Sequence, residues 1–560
     1  MITSSAYSPP TFRAPIDLQL SRNEGRAPRD LSSPGSDSVP VSSYPEVSEL
    51  RDELARRFSL PGSRVLIAAG GDDVLFRTCL ATLEPGCTAL VATPTFEMIP
   101  RYVNIAGGEL REVSWEEGPF PTEAFIRAAG RDTAVAFVVT PNNPTGAVAT
   151  AEDVERIARA MPNTLVVLDA AYGEFAEADP TASVMDLDNV VVVRTLSKAW
   201  GLAGLRVGYA LGSEEWIARL GACGNPYPVS AASVSIAMRR LSTGEEDVRD
   251  YLARAKVERE ELSKLLEDLG AHPARPTEAN FVLARGLDPA WMTSASGSLG
   301  IAIRAFPDRK ELEDAVRITV PGDEASFSRL KHTISSALAP EAILFDLDGV
   351  LADVSRSYGA AIIATAQEYG VRIETSDIDN AKARGGANDD WDLTRRLLEE
   401  RGVRAPLAEV TERFERLYQG SGDGNGLRET ETALVEPKVL RAWGDRFRLG
   451  VVTGRPREDA LRFLERFDLL NAFEVLVCRE DAPLKPDPSP VRLALQKLDV
   501  NRAWMLGDTR DDLDAARGAG VIPIGVIPPG SSPQQTRSAL ERAGAARVLE
   551  NTTDLQELLP

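Results

Sequence analysis

An α/β architecture built mainly on parallel sheet, and built more than once, is predicted by three features of the sequence. From Thr88 the chain alternates short apolar runs with helical stretches: TALVATPTF, TAVAFVVTPNNPTG, NTLVVLDAAYGEF and NVVVVRTLSKAWG. Apolar runs of about four to eight residues between helices read as strands covered on both faces. The pattern restarts after Pro340, with AILF at 342–345, GVV at 450–452 and WML at 504–506. At 560 residues the chain exceeds what one core organises, and three or four compact units are expected.

Taken in order, residues 1–40 are rich in Ser and Pro and predict an extended N-terminal arm, with Leu18-Gln19-Leu20-Ser21-Arg22-Asn23-Glu24-Gly25 as its structured patch. Tyr44-Pro45 leads into an amphipathic helix over 47–58, and 64–69 predicts a short strand. Gly70-Gly71-Asp72-Asp73 then opens a helix over 74–83. That turn presents backbone N–H groups at a helix start, which suits phosphate and equally suits a plain Gly-Asp cap. The valine-rich strand ends in Arg194-Thr195-Leu196-Ser197-Lys198. An amine there suits a Schiff base, with Thr195, Ser197 and Arg206 around a phosphate; taken alone, it also fits a solvated loop lysine.

Charge and composition exclude several functions. Lys and Arg number 63 against 84 Asp and Glu, a net charge of −21, which argues against a nucleic-acid partner. Cys79, Cys87, Cys223 and Cys478 are scattered without a CxxC pair, and His272 and His332 are the two histidines, so a zinc centre is not expected. The N-terminus has neither a basic start nor an apolar core, and no run approaches the ~18 apolar residues of a membrane helix. A cytoplasmic protein with no membrane partner is the expectation.

Polar residues collect at the C-terminal ends of the predicted strands, where open α/β sheets bind ligands. Asp169 suits the ring nitrogen of a pyridine aldehyde cofactor, Asn143 and Tyr172 its phenolate oxygen, and Phe96 its ring face. Singly, Asn143 also reads as a turn residue, Asp169 as a helix cap and Phe96 as core.

PTF at 94–96, PNNPTG at 141–146, DAAY at 169–172, RTLSKAWGLAGLRVGY at 194–209 and VRITV at 316–320 resemble the fold-type I pyridoxal-phosphate aminotransferases, with the histidinol-phosphate aminotransferase group nearest. The resemblance implies pyridoxal 5'-phosphate as cofactor. Lys198 becomes the Schiff-base lysine and proton carrier, Asp169 the partner of the ring nitrogen, Asn143 and Tyr172 those of the ring oxygen, and Phe96 the stacking residue. It further implies that Gly71, Asp72, Thr195, Ser197 and Arg206 bind the cofactor phosphate, and that Tyr44 reaches the phosphate of a neighbouring subunit in a homodimer. Arg317 and Arg304 would take the substrate's anionic group, a task suited to guanidinium forks, with Asn23 on the covering arm. Two departures stand out: Ala170 where the group has Glu, and Asn23-Glu24-Gly25-Arg26 where it has N-E-N-P.

A Ser/Ala-rich helix ending near Ala339 predicts a boundary there, so that an aminotransferase domain occupies 41–338 and a second domain begins at 342. The strand at 342–345 runs into Asp346-Leu347-Asp348-Gly349. Two carboxylates beyond a strand end suit Mg²⁺, one attacking phosphorus and the other acting as acid and base. Thr453, Lys485 and the run from Asp508 to Asp512 follow later strands. In this order the four motifs resemble the haloacid dehalogenase superfamily. The resemblance makes Asp346 the nucleophile and Asp348 the general acid and base, with Thr453 and Lys485 stabilising the phosphoryl group. Asp346, Asp508 and the main-chain carbonyl of Asp348 would hold Mg²⁺, supported by Asp512. A Rossmann-like core over 342–353 and 447–560 would carry a helical cap at 354–446, as in the phosphoglycolate-phosphatase-like branch, and the glycine-rich stretch 384–391 would be its specificity loop.

The joint expectation is a bifunctional enzyme. One half exchanges an amino group between glutamate and a keto compound, with 2-oxoglutarate as the other product, and one half hydrolyses a small organic phosphate. Histidinol phosphate would link the two within histidine synthesis. Two alternatives stay open: a secondary-metabolite pathway using another amino or phosphate intermediate, and an aminotransferase bearing a regulatory, non-catalytic second domain.

Overall fold

The valines at 190–193 are fully buried because their strand, Val190–Thr195, is third of seven in the largest sheet of the computed structural model. The structure describes residues 12, 14–27, 43–386, 389–420 and 426–560. The sheet runs in the order Val65–Ala68, Gly208–Leu211, Val190–Thr195, Leu165–Asp169, Thr133–Val139, Thr88–Thr93, Glu109–Ser114. Gly208–Leu211 is antiparallel to both its neighbours and every other pairing is parallel, so the central strands end on one side. Helices cover the sheet, and Val74, Leu75, Ile99, Val103, Val167 and Val193 meet in one buried core. A four-stranded sheet containing Phe281–Arg285 and Val316–Thr319 belongs to the same unit.

The chain divides into two compact units. The first holds 20–289 and 303–328; the second holds 11–19, 290–302 and 329–560. This division runs through the predicted 41–338 domain, and within the second unit the reason is visible. Leu18–Gln19 pairs in parallel with Ile301–Ala302, and Trp291 donates its indole N–H to Ala337 at 3.0 Å while packing on Trp504, 4.9 Å between ring centroids. Two large aromatic rings in contact outweigh the sequence order of the segments that carry them.

The second unit's main sheet is wholly parallel, in the order Val475–Val477, Arg448–Val452, Ala342–Phe345, Ala503–Gly507, Ile522–Val526, Arg547–Leu549. Between the short antiparallel strands Ala352–Asp353 and Thr432–Ala433 lie the helices Tyr358–Glu368, Thr375–Arg384, Asp390–Glu400 and Leu407–Gln419, with a core of their own. Three of these follow stretches that read as helical in the sequence, SRSYGAAIIATAQEYG, LTRRLLEERG and LAEVTERFERLYQG. Thr375–Arg384 does not: TSDIDNAKAR has little apolar periodicity, and the helix is set by a capping box between Glu374 and Asp377 and by burial of Ile378 and Ala381. No helix among the described residues is long and apolar enough to cross a membrane.

Candidate active sites

The parallel strands of the first unit deliver their last residues to one place. Asp169 ends Leu165–Asp169, Thr195 ends Val190–Thr195, and Gly71 begins the helix Gly71–Thr82. They meet in a cavity of about 450 Å³ whose lining includes Asn23, Asp72, Phe96, Asn143, Tyr172, Ser197, Lys198, Arg206, Arg304 and Arg317. Tyr44 does not line it; its ring is 75% exposed and stacked on Tyr227 at 4.2 Å.

One end of the cavity is built for an anion. Arg206, in the left-handed region at φ 53°, sets its guanidinium 3.0 Å from Asp72 Oδ2. Thr195 Oγ1 donates to Ser197 Oγ at 2.8 Å and accepts the Ser197 N–H at 3.1 Å. Asp72 is itself an anion and here serves as the counter-ion of Arg206; what this helix start offers a phosphate is its backbone N–H groups.

The other end is cationic and covered by the arm. Arg317 donates to Asn143 Oδ1 and, at 2.9 Å, to the Ser21 carbonyl, and lies over the Phe281 ring. Arg304 pairs with Glu97 at 3.1 Å. Asn23, at φ 54°, donates to the Tyr172 hydroxyl at 3.0 Å and accepts from Thr319 at 2.8 Å. Lys198 Nζ donates to the Arg22 carbonyl at 3.4 Å, with the Tyr172 ring centroid 5.5 Å away. Glu97 and Arg22 line the cavity too; apart from following Phe96 and preceding Asn23, they carried no signal in the sequence.

The arm's departure from N-E-N-P has a steric basis. A Cβ on Gly25 would stand 1.7 Å from the Lys198 carbonyl oxygen and 3.2 Å from Gly201 Cα, so any side chain there displaces the arm from Lys198. Overpacking of this kind costs ~1–3 kcal/mol. Gly25→Ala is therefore expected to raise KM for the amino donor about tenfold with little change in kcat; steady-state kinetics giving an unchanged KM would show that the arm does not need this contact.

Asp169 is buried, and burial pushes its carboxyl up to about 7, with Asp72 adding to the shift and the Ala171 N–H and Lys198 opposing it. A cationic ring nitrogen against it would favour the ionised form, so the donor set of Asp169, Lys198 and the anion end fits pyridoxal phosphate. Without the cofactor the sign is definite. A carboxyl raised in the folded state contributes stability that is complete below its unfolded value, near 4, and is lost as pH climbs through about 7. The cofactor-free Asp169→Asn variant should gain on the wild type between pH 5 and 8, by at most about 3 kcal/mol. Thermal unfolding at the two pH values checks this; a variant that loses ground to the wild type toward pH 8 would contradict it.

In the second unit Asp346, Thr453 and Asp508 follow three adjacent parallel strands, Ala342–Phe345, Arg448–Val452 and Ala503–Gly507. Carboxylate oxygens of Asp346, Asp508 and Asp512 lie within 4.8 Å of one another, all three residues buried. Lys485 Nζ reaches Asp346 at 2.8 Å, Asp512 at 2.5 Å and the Val452 carbonyl at 3.0 Å. One ammonium does not balance three carboxylates. Burial, reinforced by the neighbouring carboxylates against Lys485, pushes Asp346 well above the usual range; Asp508 rises to about 7. Asp508 Oδ2 is buried with no hydrogen-bond partner among the described residues, and Lys382 of the unpredicted helix stands 3.8 Å from it. Buried oxygens short of positive charge fit a hard divalent cation such as Mg²⁺. Gly349, at φ 72°, allows this approach, since a Cβ there would lie 2.5 Å from Asp508 Oδ2.

Two of the predicted residues meet partners the sequence did not show. The Asp348 side chain is engaged by Arg455, whose Nε donates to Oδ1 at 2.7 Å, so its carboxylate lies outside the cluster of Asp346, Asp508 and Asp512. In the stretch 384–391, Arg384 pairs with Glu400 at 3.0 Å on the surface, while Asp390 and Trp391 line the small cavity beside Asp346. The cation over Trp391 is Arg479, 4.2 Å from its ring centroid, and residues 387–388 lie outside those described.

The family model described as aminotransferase class I and II matches residues 34–333, more than half of the chain. The chain belongs to the class I and II aminotransferases. In this aminotransferase, residues 343–526 match a second family model, described as haloacid dehalogenase-like hydrolase. The chain is similar to a histidinol-phosphate aminotransferase of Caldanaerobacter subterraneus, at 35% identity over 52% of this chain and 83% of the relative. It is similar to an imidazoleglycerol-phosphate dehydratase of Phytophthora nicotianae, at 44% identity over 39% of this chain, and spans about half (52%) of that relative's length. Among solved structures it resembles histidinol-phosphate aminotransferase from Sinorhizobium meliloti in complex with pyridoxal-5'-phosphate, with 27% identity and a TM-score of 0.53 over 58% of this chain and 91% of that one.

Proposed function

We propose that the aminotransferase half exchanges an amino group between the glutamate/2-oxoglutarate pair and the imidazole-acetol phosphate/histidinol phosphate pair, and that the hydrolase half removes phosphate from histidinol phosphate. The observation that carries this reading is the presence in one chain of two full sets of reacting groups, Lys198 with Asp169 and Asp346 with Lys485. The relatives support it, since both are named for phosphorylated compounds.

Pyridoxal phosphate, when bound, supplies a carbonyl that condenses with amines and a protonated ring that draws electrons from the substrate's α-carbon. Asp169 would keep the proton on the ring nitrogen. Lys198 Nζ would carry a proton to and from the α-carbon, and Tyr172, held by Asn23, would hydrogen-bond the ring oxygen. Gly71, Thr195, Ser197 and Arg206 would hold the cofactor phosphate, while Arg317 and Arg304 would bind the substrate's anionic groups and the arm would exclude water. The exposure of Tyr44 supports a role across a homodimer interface. In the hydrolase half Asp346 would attack phosphorus, Thr453 and Lys485 would bind the phosphoryl oxygens, and Asp346, Asp508 and the Asp348 carbonyl would hold Mg²⁺. The four free cysteines suit a reducing cytoplasm.

The test is to incubate the protein with pyridoxal phosphate, Mg²⁺, histidinol phosphate and 2-oxoglutarate, and to follow glutamate and inorganic phosphate separately. Formation of both supports the reading. If neither forms, the histidine assignment is wrong and other amino acids and phosphate esters take its place.

A further inference from the structure

Arg455, which follows Thr453-Gly454 at the end of Arg448–Val452, is 2% exposed. A buried guanidinium is costly unless its donors are met. On one side its Nε donates to Asp348 Oδ1 at 2.7 Å and its second terminal nitrogen approaches the same oxygen at 2.5 Å. On the other side its terminal nitrogens donate to the two carboxylate oxygens of Glu431 at 3.1 and 3.3 Å. The rings of Tyr358 and Phe463 flank it, with centroids 5.0 and 5.4 Å from its central carbon. Glu431, also buried, accepts from the hydroxyls of Ser357 at 2.9 Å and Tyr418 at 3.1 Å. It directly precedes Thr432–Ala433, the strand by which the chain returns from the four helices, and Tyr358 and Tyr418 belong to the core of those helices.

We propose that Arg455 is a positioning residue that fixes the Asp348 carboxylate for proton transfer and, through Glu431, ties it to the placement of the four-helix insertion. The inference rests on the proposed phosphatase reaction. In the first half of that reaction an Asp346 oxygen bonds to phosphorus, the bond from phosphorus to the ester oxygen breaks, and the departing oxygen takes a proton from Asp348. In the second half Asp348 takes a proton from a water whose oxygen bonds to phosphorus, which frees Asp346 and inorganic phosphate. A rigid planar fork on Oδ1 removes the carboxylate's freedom to turn and leaves Oδ2 to exchange the proton. The contact to Glu431 makes that orientation depend on where the helices sit, because the same guanidinium is held from both directions.

The test compares two esters on the full-length enzyme with Mg²⁺. Histidinol phosphate has an alkoxide leaving group that needs a proton; 4-nitrophenyl phosphate releases 4-nitrophenolate, a stable anion that needs none. Arg455→Lys keeps the charge and loses the fork, and should lower kcat/KM for histidinol phosphate ~10- to 100-fold but for the nitrophenyl ester less than about threefold. Glu431→Gln preserves size and should show the same selectivity at about three- to tenfold. In an Asp348→Asn background Arg455→Lys should cost less than about twofold more, since residues acting as a unit are not additive. Amino-group exchange by the same chain serves as the control for folding. Equal losses on both esters, or full additivity with Asp348→Asn, would show that Arg455 only packs the site and overturn the proposal. A wild type that hydrolyses neither ester, or an Asp346→Asn variant as active as the wild type, would overturn the phosphatase reading and this inference with it.

Discussion

Lys198→Ala is expected to abolish amino-group exchange, by about a thousandfold or more, while phosphate-ester hydrolysis by the same molecules stays within about twofold of normal. Among the described residues Lys198 supplies the one primary amine in the cavity lining; the other cations there, Arg22, Arg206, Arg304 and Arg317, are guanidiniums. A guanidinium stays protonated at any ordinary pH, so it neither condenses with an aldehyde nor relays a proton. No neighbour can therefore take over the role. The truncation also leaves a gap beside Tyr172, and a small external amine such as methylamine should restore part of the exchange without affecting hydrolysis. Glutamate formation from histidinol phosphate and 2-oxoglutarate measures the loss. A variant keeping more than about a tenth of wild-type exchange would remove Lys198 from the chemistry.

Asp346→Asn should produce the opposite pattern, with phosphate release lost by about a thousandfold or more and amino-group exchange intact. Two of the neighbouring carboxylates are already committed to other partners. Asp512 is held by Lys485 at 2.5 Å and by the Thr509 hydroxyl at 2.6 Å, and Asp348 by Arg455 at 2.7 Å. The substitution also removes one negative charge from a cluster that Lys485 alone does not balance. Without added divalent cation the variant should thus unfold no earlier than the wild type, and with Mg²⁺ the wild type should gain more than the variant. This separates lost chemistry from lost folding. A variant that is inactive and also markedly less stable in the absence of Mg²⁺ would mean that Asp346 holds the site together and that its loss says nothing of attack on phosphorus.

The central strands of the two sheets were readable because they are short apolar runs with Asp or Thr at or just past their ends, and buried parallel strands write themselves that way; the half-exposed Glu109–Ser114 and the outer strands Ile522–Val526 and Arg547–Leu549 were not read. Asp169, Thr195, Asp346, Thr453 and Asp508 were found for the same reason: each stands at or just past a strand end, where sequence position and spatial position coincide. The helix Thr375–Arg384 was not readable, and neither was its Lys382, because a polar helix fixed by a capping box and two buried apolar side chains leaves almost no periodic trace. Arg455 sat in plain view beside Thr453, yet its partner Glu431 lies 24 residues upstream, just before a strand of two residues.

The sequence by itself determined the central strands of the two sheets, the order of the candidate site residues along them and the types of chemistry those residues can do, since all three depend on local periodicity and residue identity. Tertiary structure alone decided which charges meet. It paired Asp72 with Arg206, set Arg304 on Glu97 and Arg479 over Trp391, held the Asp348 carboxylate on Arg455, and required glycine at 25. Charge pairing and close approach depend on distances of a few ångströms between segments far apart in the chain, and a linear sequence does not carry those distances.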